Sequence, residues 1–139
     1  MPAATDPLLS RGERILVVDD DESIRQVVTL CLVDEGFDVL TVANGQAALD
    51  VLDRFRPSII LLDLRMPVMD GFEFVNRYRL LPGPHAAIVA FVAALHAEVE
   101  ARPLGAACVL EKPFDLDDLL SAVQTARAVA PAVEAQANT

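Results

Sequence analysis

Short apolar runs that alternate with helical patterns constrain the fold of this 139-residue chain more than any other feature. The runs at 14–19, 37–42, 58–62, 87–92 and 107–110 are predicted strands. Apolar residues at three- and four-residue spacing predict helices at 24–32, 44–52, 72–80 and 115–130, with a weaker one at 97–102 that Pro103 ends. The runs are continuous rather than alternating, which is typical of strands buried on both faces. The pattern therefore predicts βαβ units and a five-stranded parallel sheet between two layers of helices, five in all.

Composition narrows the classes of protein that the chain can represent. Its formal net charge of −10 argues against binding to nucleic acid. The longest apolar run, 86–95, is about half of what a bilayer crossing needs, so we expect no membrane partner. The first residues lack the pattern of a secretory signal peptide. Cys31 and Cys108 stand in apolar contexts and are expected to be buried free thiols, which suits a cytoplasmic location.

The chain is predicted to contain one domain, because we find no internal repeat and no second set of periodic segments. We expect the folded domain to span 13–130. The segments 1–12 and 131–139 are expected to be flexible tails at its two ends.

Aspartates follow two of the predicted strands at the point where each strand stops. Asp19 and Asp20 follow the first strand, and Asp63 follows the third. If the strand order is the flavodoxin-like 2-1-3-4-5, these two strands are neighbours, and the three carboxylates meet at the edge where such sheets bind ligands. Carboxylates so close together raise one another's pKa unless a cation balances them, and Mg²⁺ suits oxygen ligands. The alternative is that the run from Asp19 to Asp21 only caps the first helix.

Lys112 follows the fifth predicted strand and precedes Pro113. Strand 5 lies two strands from strand 3, roughly 10 Å away, and a lysine side chain can cover most of that distance. Its ammonium could then balance negative charge on whatever Asp63 holds. The alternative is a solvated surface lysine without a role in the site.

Three separated motifs resemble the receiver domain of two-component response regulators. They are I-L-V-V-D-D-D-E-S-I-R at 15–25, I-I-L-L-D-L-R-M-P-V-M-D-G at 59–71 and L-E-K-P-F at 110–114. They occur in the family's order and spacing, and the resemblance covers nearly the whole chain. It implies a phosphoacceptor module in signal transduction, standing alone without an output domain, rather than an enzyme. The implied partners are a histidine kinase or phosphotransfer protein and a downstream protein.

The resemblance also implies a role for each matching residue. Asp63 would accept the phosphoryl group, and Lys112 would contact it. Asp19, Asp20, Asp63 and the backbone carbonyl of Arg65 would hold Mg²⁺. The bond between Lys112 and Pro113 is expected to be cis, as is usual in the family.

Two positions depart from the family pattern. Where the family has Ser or Thr at the end of strand 4, this chain has Val92, followed by Ala93. Where the family has a switch aromatic three residues before the lysine, this chain has Val109. Valine donates no hydrogen bond, so we expect a weakened coupling between phosphorylation and shape. The alternative is that both are ordinary strand valines in a receiver that switches through other groups.

Two other functions remain open from the sequence. One is a degenerate receiver that acts through protein contacts without phosphorylation. The other is a phosphohydrolase of the haloacid dehalogenase type, which also uses a strand-end aspartate. Such hydrolases place a second acid two residues later, where this chain has Arg65, and Ala94 beyond strand 4 offers no group to orient water. Both residues argue against the hydrolase.

Overall fold

The computed structural model of the chain describes residues 13–93 and 104–130. In chain order the elements are β1 (Arg14–Val18), α1 (Glu22–Asp34), β2 (Asp38–Val42), α2 (Gly45–Phe55), β3 (Ile59–Asp63), α3 (Gly71–Leu80), β4 (Ala87–Ala93), β5 (Cys108–Lys112) and α4 (Leu116–Val129). The strands form one parallel sheet in the order β2-β1-β3-β4-β5, which confirms the predicted topology. The helix predicted at 97–102 lies outside the described residues.

The core lies in two layers, one on each face of the sheet. Successive strand residues point to opposite faces, so Val17 packs in one layer and Val18 in the other. One layer, the α1/α4 cluster, contains Val28 and Leu119 from the two helices that cover it. The other, the α2/α3 cluster, contains Phe74. All five residues of β3 are buried, as expected for a central strand with helices on both faces.

Local polar groups fix the starts of the helices. Asp21 caps α1, and its carboxylate accepts hydrogen bonds from the backbone N–H groups of Ser23 and Ile24. The capping interpretation thus applies to Asp21 in the run of three aspartates. Asp115 caps α4 in a reciprocal capping box with Asp118.

The structure corrects several predicted boundaries. The strand β5 continues through Lys112, because Lys112 pairs in register with Ala93 of β4. Lys112 is therefore the last residue of the strand rather than a residue of the following loop. Helix α2 continues to Phe55, beyond the predicted end at residue 52. Arg56 ends it in the left-handed conformation, a common helix stop that sequence patterns do not mark without glycine.

The prediction of two buried thiols was wrong in one respect. Cys31 and Cys108 are free, but each is only partly buried. Both lie at the margin of the α1/α4 cluster, against which they pack. Burial and the nearby carboxylates Glu35 and Asp34 raise the pKa of the Cys31 thiol. Within 13–93 and 104–130, none of the helices has the length and apolar character needed to cross a bilayer.

Candidate functional site

Three parallel strands bring charged residues to one edge of the sheet. Asp19 follows β1 directly, Asp63 is the last residue of β3, and Lys112 is the last residue of β5. Since parallel strands present their carboxyl ends at the same edge, residues far apart in sequence meet there. Asp20 lies next to Asp19 at the start of the turn into α1.

The three aspartates form a compact acidic cluster. One carboxylate oxygen from each of Asp19, Asp20 and Asp63 lies within 4.8 Å of the other two. Asp19 is fully buried and Asp63 is 5% exposed, whereas Asp20 is open to solvent. The cluster therefore combines two desolvated carboxylates with one that solvent and ions reach freely.

Lys112 is the only lysine in the chain, and its ammonium lies within this cluster. Its Nζ lies 3.0 Å from Asp19 Oδ2 and 3.4 Å from Asp63 Oδ2. Asp19 Oδ2 is buried and accepts no hydrogen bond of normal geometry from the residues that the structure describes, so the ion pair with Lys112 is its polar contact among them. The alternative of a solvated surface lysine does not describe this residue, whose side chain is only 26% exposed.

The charges of the cluster and its burial shift the pKa of two of its residues, Asp63 and Lys112. Burial, together with the negative charge of Asp19, raises the pKa of Asp63 to about 6. The ammonium of Lys112 acts in the opposite direction but does not cancel the increase. Burial alone would lower the pKa of Lys112, but the carboxylates of Asp19 and Asp63 raise it overall, so its positive charge is held firmly.

Backbone and side-chain donors fix the orientation of the two buried carboxylates. The N–H of Asp21 donates to Asp19 Oδ1 at 2.9 Å, and the N–H of Arg65 donates to Asp63 Oδ1 at 3.3 Å. Arg25, on the first turns of α1, donates through Nη1 to the backbone carbonyl of Asp19 at 2.8 Å. Each carboxylate thus has one oxygen held by the backbone and the other directed at Lys112.

Gly71 permits a close approach behind Asp63. A Cβ at this position would lie 2.8 Å from the backbone oxygen of Asp63 and 2.8 Å from the Cα of Leu64. The N–H of Gly71 also donates to the carbonyl of Leu64 at 3.1 Å. The loop after β3 therefore folds back against the strand end, and a side chain at residue 71 would displace it.

The cluster lies in a cleft of about 860 Å³. The charged residues that line it are Asp20, Asp21, Asp63, Arg65 and Lys112. Its apolar wall comes from α1 and the segment after β5, and consists of Ile24, Val27, Val28, Pro113 and Phe114. The bond between Lys112 and Pro113 is cis, as predicted.

The two atypical switch positions lie on the opposite face of the sheet from the cluster. Val92 is buried in the α2/α3 cluster, and Val109 packs against that cluster with partial exposure. Ala93 lines the cleft. Among the described residues, Phe91 is the direct neighbour of Asp63 on β4, in register with it.

Sequence reasoning did not select Phe91 or Arg25 as residues of the site. The contact of Phe91 depends on the register between β3 and β4, which a single sequence does not reveal. For Arg25 the available signal was its spacing, because an arginine on the first turns of a helix can reach back to the end of the preceding strand, here to Asp19.

The donor atoms of the cluster fit a hard divalent cation. All are oxygens, and two of the three carboxylates are desolvated. In the described part of the chain, Asp19 Oδ2 has no hydrogen-bond donor of normal geometry. Mg²⁺ binds such oxygens through one or two carboxylates and keeps several waters, which the exposed side at Asp20 would admit.

Known proteins resemble the chain over most of its length. The family model of the response regulator receiver domain matches residues 15–124. Sporulation initiation phosphotransferase F of Bacillus subtilis (strain 168) is 35% identical over 114 residues, which are 81% of this chain and 92% of that protein. Regulatory protein AtoC of Escherichia coli (strain K12) is 36% identical over 115 residues, 81% of this chain but 25% of that protein.

A solved structure gives the same picture. It is the receiver domain of a sensor histidine kinase from Pseudomonas aeruginosa PAO1, with a magnesium ion coordinated in its active-site cleft. It is 32% identical and superposes with a TM-score of 0.76, covering 84% of this chain and 98% of that one.

A flavodoxin-like sheet with an acidic cluster and a lysine at its switch point defines a signalling module of the two-component type. The chain belongs to the response regulator receiver domain family, which confirms the resemblance noted in its motifs.

Proposed function

We propose that the chain accepts a phosphoryl group on Asp63 from a histidine kinase or phosphotransfer protein, with Mg²⁺ as cofactor. The observation that carries the proposal is the convergence of three carboxylates and one ammonium around Asp63. The receiver domain is taken to span 13–130, and a downstream protein partner and a cytoplasmic location remain predictions.

The metal would be held by oxygens of Asp19, Asp20 and Asp63, with the backbone carbonyl of Arg65 as a fourth protein ligand. When bound, Mg²⁺ supplies positive charge that neutralises the oxygens of a transferring phosphoryl group. The orientation of these ligands comes from this chain's own groups. The N–H groups of Asp21 and Arg65 donate to the Oδ1 atoms of Asp19 and Asp63.

Asp63 would act as the nucleophile. One carboxylate oxygen forms a bond to phosphorus in line with the breaking P–N bond of a phosphohistidine, and the leaving imidazole takes up a proton. With a pKa of about 6, Asp63 is mostly ionised above neutral pH, so the step needs no general base. Lys112, held beside Asp63 at 3.4 Å, is in place to pair with a phosphoryl oxygen.

The alternative is a degenerate receiver that works only through protein contacts. Val92 and Val109 favour it, because neither can form the hydrogen bonds of the usual relay. The retained acidic cluster argues for phosphoryl transfer, since buried carboxylates that repel one another cost folding free energy without serving an apolar interface. A hydrolase is less well supported, because residue 65 is an arginine and not the second acid that such hydrolases place two residues after the aspartate.

Incubation with acetyl phosphate or phosphoramidate tests the proposal. The intact protein should gain the mass of one phosphate when Mg²⁺ is present and should lose it at alkaline pH. Asp63→Asn should abolish the gain. Asp53→Asn changes an exposed carboxylate of α2 outside the cluster and is the matched control, which should be phosphorylated as the wild type is. Absence of any gain in the wild-type protein would favour the degenerate receiver.

A further inference from the structure

Phe91 occupies an unusual place beside the candidate acceptor. It is fully buried, and it pairs in register with Asp63 across β3 and β4. Residues paired in register point to the same face of a sheet, so the ring and the carboxylate lie on the α1/α4 side. The carbonyl of Phe91 also accepts a hydrogen bond from the N–H of Leu64 at 3.3 Å, which ties β4 to the residue after Asp63.

The ring of Phe91 lies next to the two residues that flank Pro113. Lys112 Nζ lies over the ring, 6.0 Å from its centroid. The ring of Phe114 lies 4.9 Å from that of Phe91, centroid to centroid, at an interplanar angle of 48°. An ammonium over an aromatic face is attracted by the ring's quadrupole at this range. Phe91 therefore lies between the acceptor strand and the segment that carries the lysine.

We propose that Phe91 is a positioning residue that holds the Lys112 ammonium between the carboxylates of Asp19 and Asp63. Its relevance to phosphoryl transfer rests on the function proposed above, but the contact itself is a property of the protein without ligand. A lysine has a long flexible stem, and fixing it costs side-chain entropy. The Phe91 ring provides a rigid apolar wall for that stem and an attractive face for its charge. A leucine would fill much of the space without attracting the cation.

The geometry places the aromatic contact of this receiver on one particular face. Val92 and Val109, at the usual relay positions, belong to the α2/α3 side and carry no ring. Phe91 and Phe114 belong to the α1/α4 side. A displacement of Lys112 would therefore disturb Phe91 and Phe114 before other aromatic residues. Phe114 lies two residues before the start of α4.

The chain offers a direct probe, because Lys112 is its only lysine. Protein labelled with ¹³C and ¹⁵N in lysine alone gives one lysine side-chain spin system by NMR. In metal-free protein, Phe91→Leu should shift the Lys112 side-chain signals towards those of free lysine. In Mg²⁺, the same variant should bind beryllofluoride, a phosphoryl mimic, about two- to fivefold more weakly, the value of a modest cation–π contact.

Phe74→Leu is the matched control. Phe74 is equally buried but packs in the α2/α3 cluster, where its ring stacks on that of Tyr78 with centroids 5.6 Å apart. The Phe74→Leu variant should lose about as much folding stability as Phe91→Leu, but its Lys112 signals should be those of the wild type. Phe91→Met has nearly the volume of leucine on an unbranched side chain that adapts to an irregular space, and it also lacks a ring. It serves as a second variant if Phe91→Leu does not fold, and it should shift the Lys112 signals in the same direction.

Equal shifts of the Lys112 signals in the Phe74 and Phe91 variants, or none in either, would overturn the proposal. The proposed function can fail separately. Suppose that the wild-type protein binds no beryllofluoride, while the Lys112 signals shift in the Phe91 variants and not in Phe74→Leu. Phe91 then positions the lysine, and the proposed phosphoryl site is refuted. If beryllofluoride binds equally well to the wild type and to the Phe91 variants, and the Lys112 signals are the same in all of them, the phosphoryl site stands and Phe91 does not position its lysine.

Discussion

The ammonium of Lys112 lies 3.0 Å from Asp19 Oδ2, closer than to any oxygen of the candidate acceptor. Within 13–93 and 104–130, no group donates a hydrogen bond of normal geometry to the buried Asp19 Oδ2, so the charge of Lys112 compensates this oxygen. If, as proposed, Mg²⁺ binds the cluster, it would compete with Lys112 for this oxygen. In the metal-free protein, therefore, the lysine takes part of the role that Mg²⁺ would have, and binding of the metal would free it to meet a phosphoryl group.

Removing the charge of Asp63 should stabilise the metal-free protein at neutral pH. The folded-state pKa of about 6 lies above the ordinary value of 3.8 for an aspartate, so ionisation is costlier in the folded protein. That cost appears as the pH rises from about 4 through 6. Asp63→Asn lacks it and should raise the free energy of unfolding at pH 7.5 by on the order of 1 kcal/mol. Urea unfolding at pH 7.5 and pH 4 measures this, and the advantage should shrink at pH 4. An equal difference at both pH values would contradict the assignment.

Millimolar Mg²⁺ should raise the melting temperature by mass action, because the metal binds the folded cluster and not the unfolded chain. Asp20→Ala should remove most of that increase, since it deletes the most accessible carboxylate of the cluster. Asp38→Ala, which removes an exposed carboxylate at the start of β2, is the control and should keep it. Calorimetry that finds identical melting with and without Mg²⁺ in the wild-type protein would show that the cluster does not bind metal in this way.

Gly71→Ala should damage the site more than Gly45→Ala. At residue 71 a Cβ meets backbone atoms of Asp63 and Leu64 at 2.8 Å, and these cannot move without displacing the candidate acceptor. At residue 45 the nearest atoms belong to the flexible side chain of Met69, at 2.9 Å. Phosphorylation by phosphoramidate should fall at least tenfold in the first variant, as expected when a reacting group is misplaced by about 1 Å. Equal rates in the two variants would refute this reading.

Phosphorylation should change the shape of the β4–β5 face only slightly. A ligand shifts a two-state equilibrium only through contacts that differ between the states, and Val92 and Val109 cannot form the usual ones. In backbone NMR with beryllofluoride and Mg²⁺, shifts should concentrate near Asp19, Asp63 and Lys112. Large shifts that reach Val109 and extend along α4 would contradict the prediction. We also expect the helix predicted at 97–102 to move on phosphorylation, but these residues lie outside the part of the chain that the structure describes.

The parallel sheet could be predicted because continuous apolar runs separated by helical patterns are visible directly in the sequence. Its strand order was an assumption, supported by the resemblance of the motifs to receiver domains, and the structure confirms it. The sequence could not predict which of Asp19, Asp20 and Asp21 caps the helix. The three residues are chemically alike, and only the geometry of the turn makes Asp21 the cap. Lys112 was assigned to the loop after β5, whereas its register with Ala93 makes it the last residue of the strand. Phe91 was missed for the same reason: strand register decides which side chain lies beside Asp63.

The central claim is that Asp63 itself receives the phosphoryl group. After reaction with phosphoramidate in Mg²⁺, borohydride reduces an aspartyl phosphate to homoserine, and peptide mass spectrometry locates that residue. We expect homoserine at position 63 in the wild-type protein, none in the absence of Mg²⁺, and none at Asp19 or Asp20. Homoserine at another position, or an unmodified Asp63 in protein that has gained phosphate, would contradict the account.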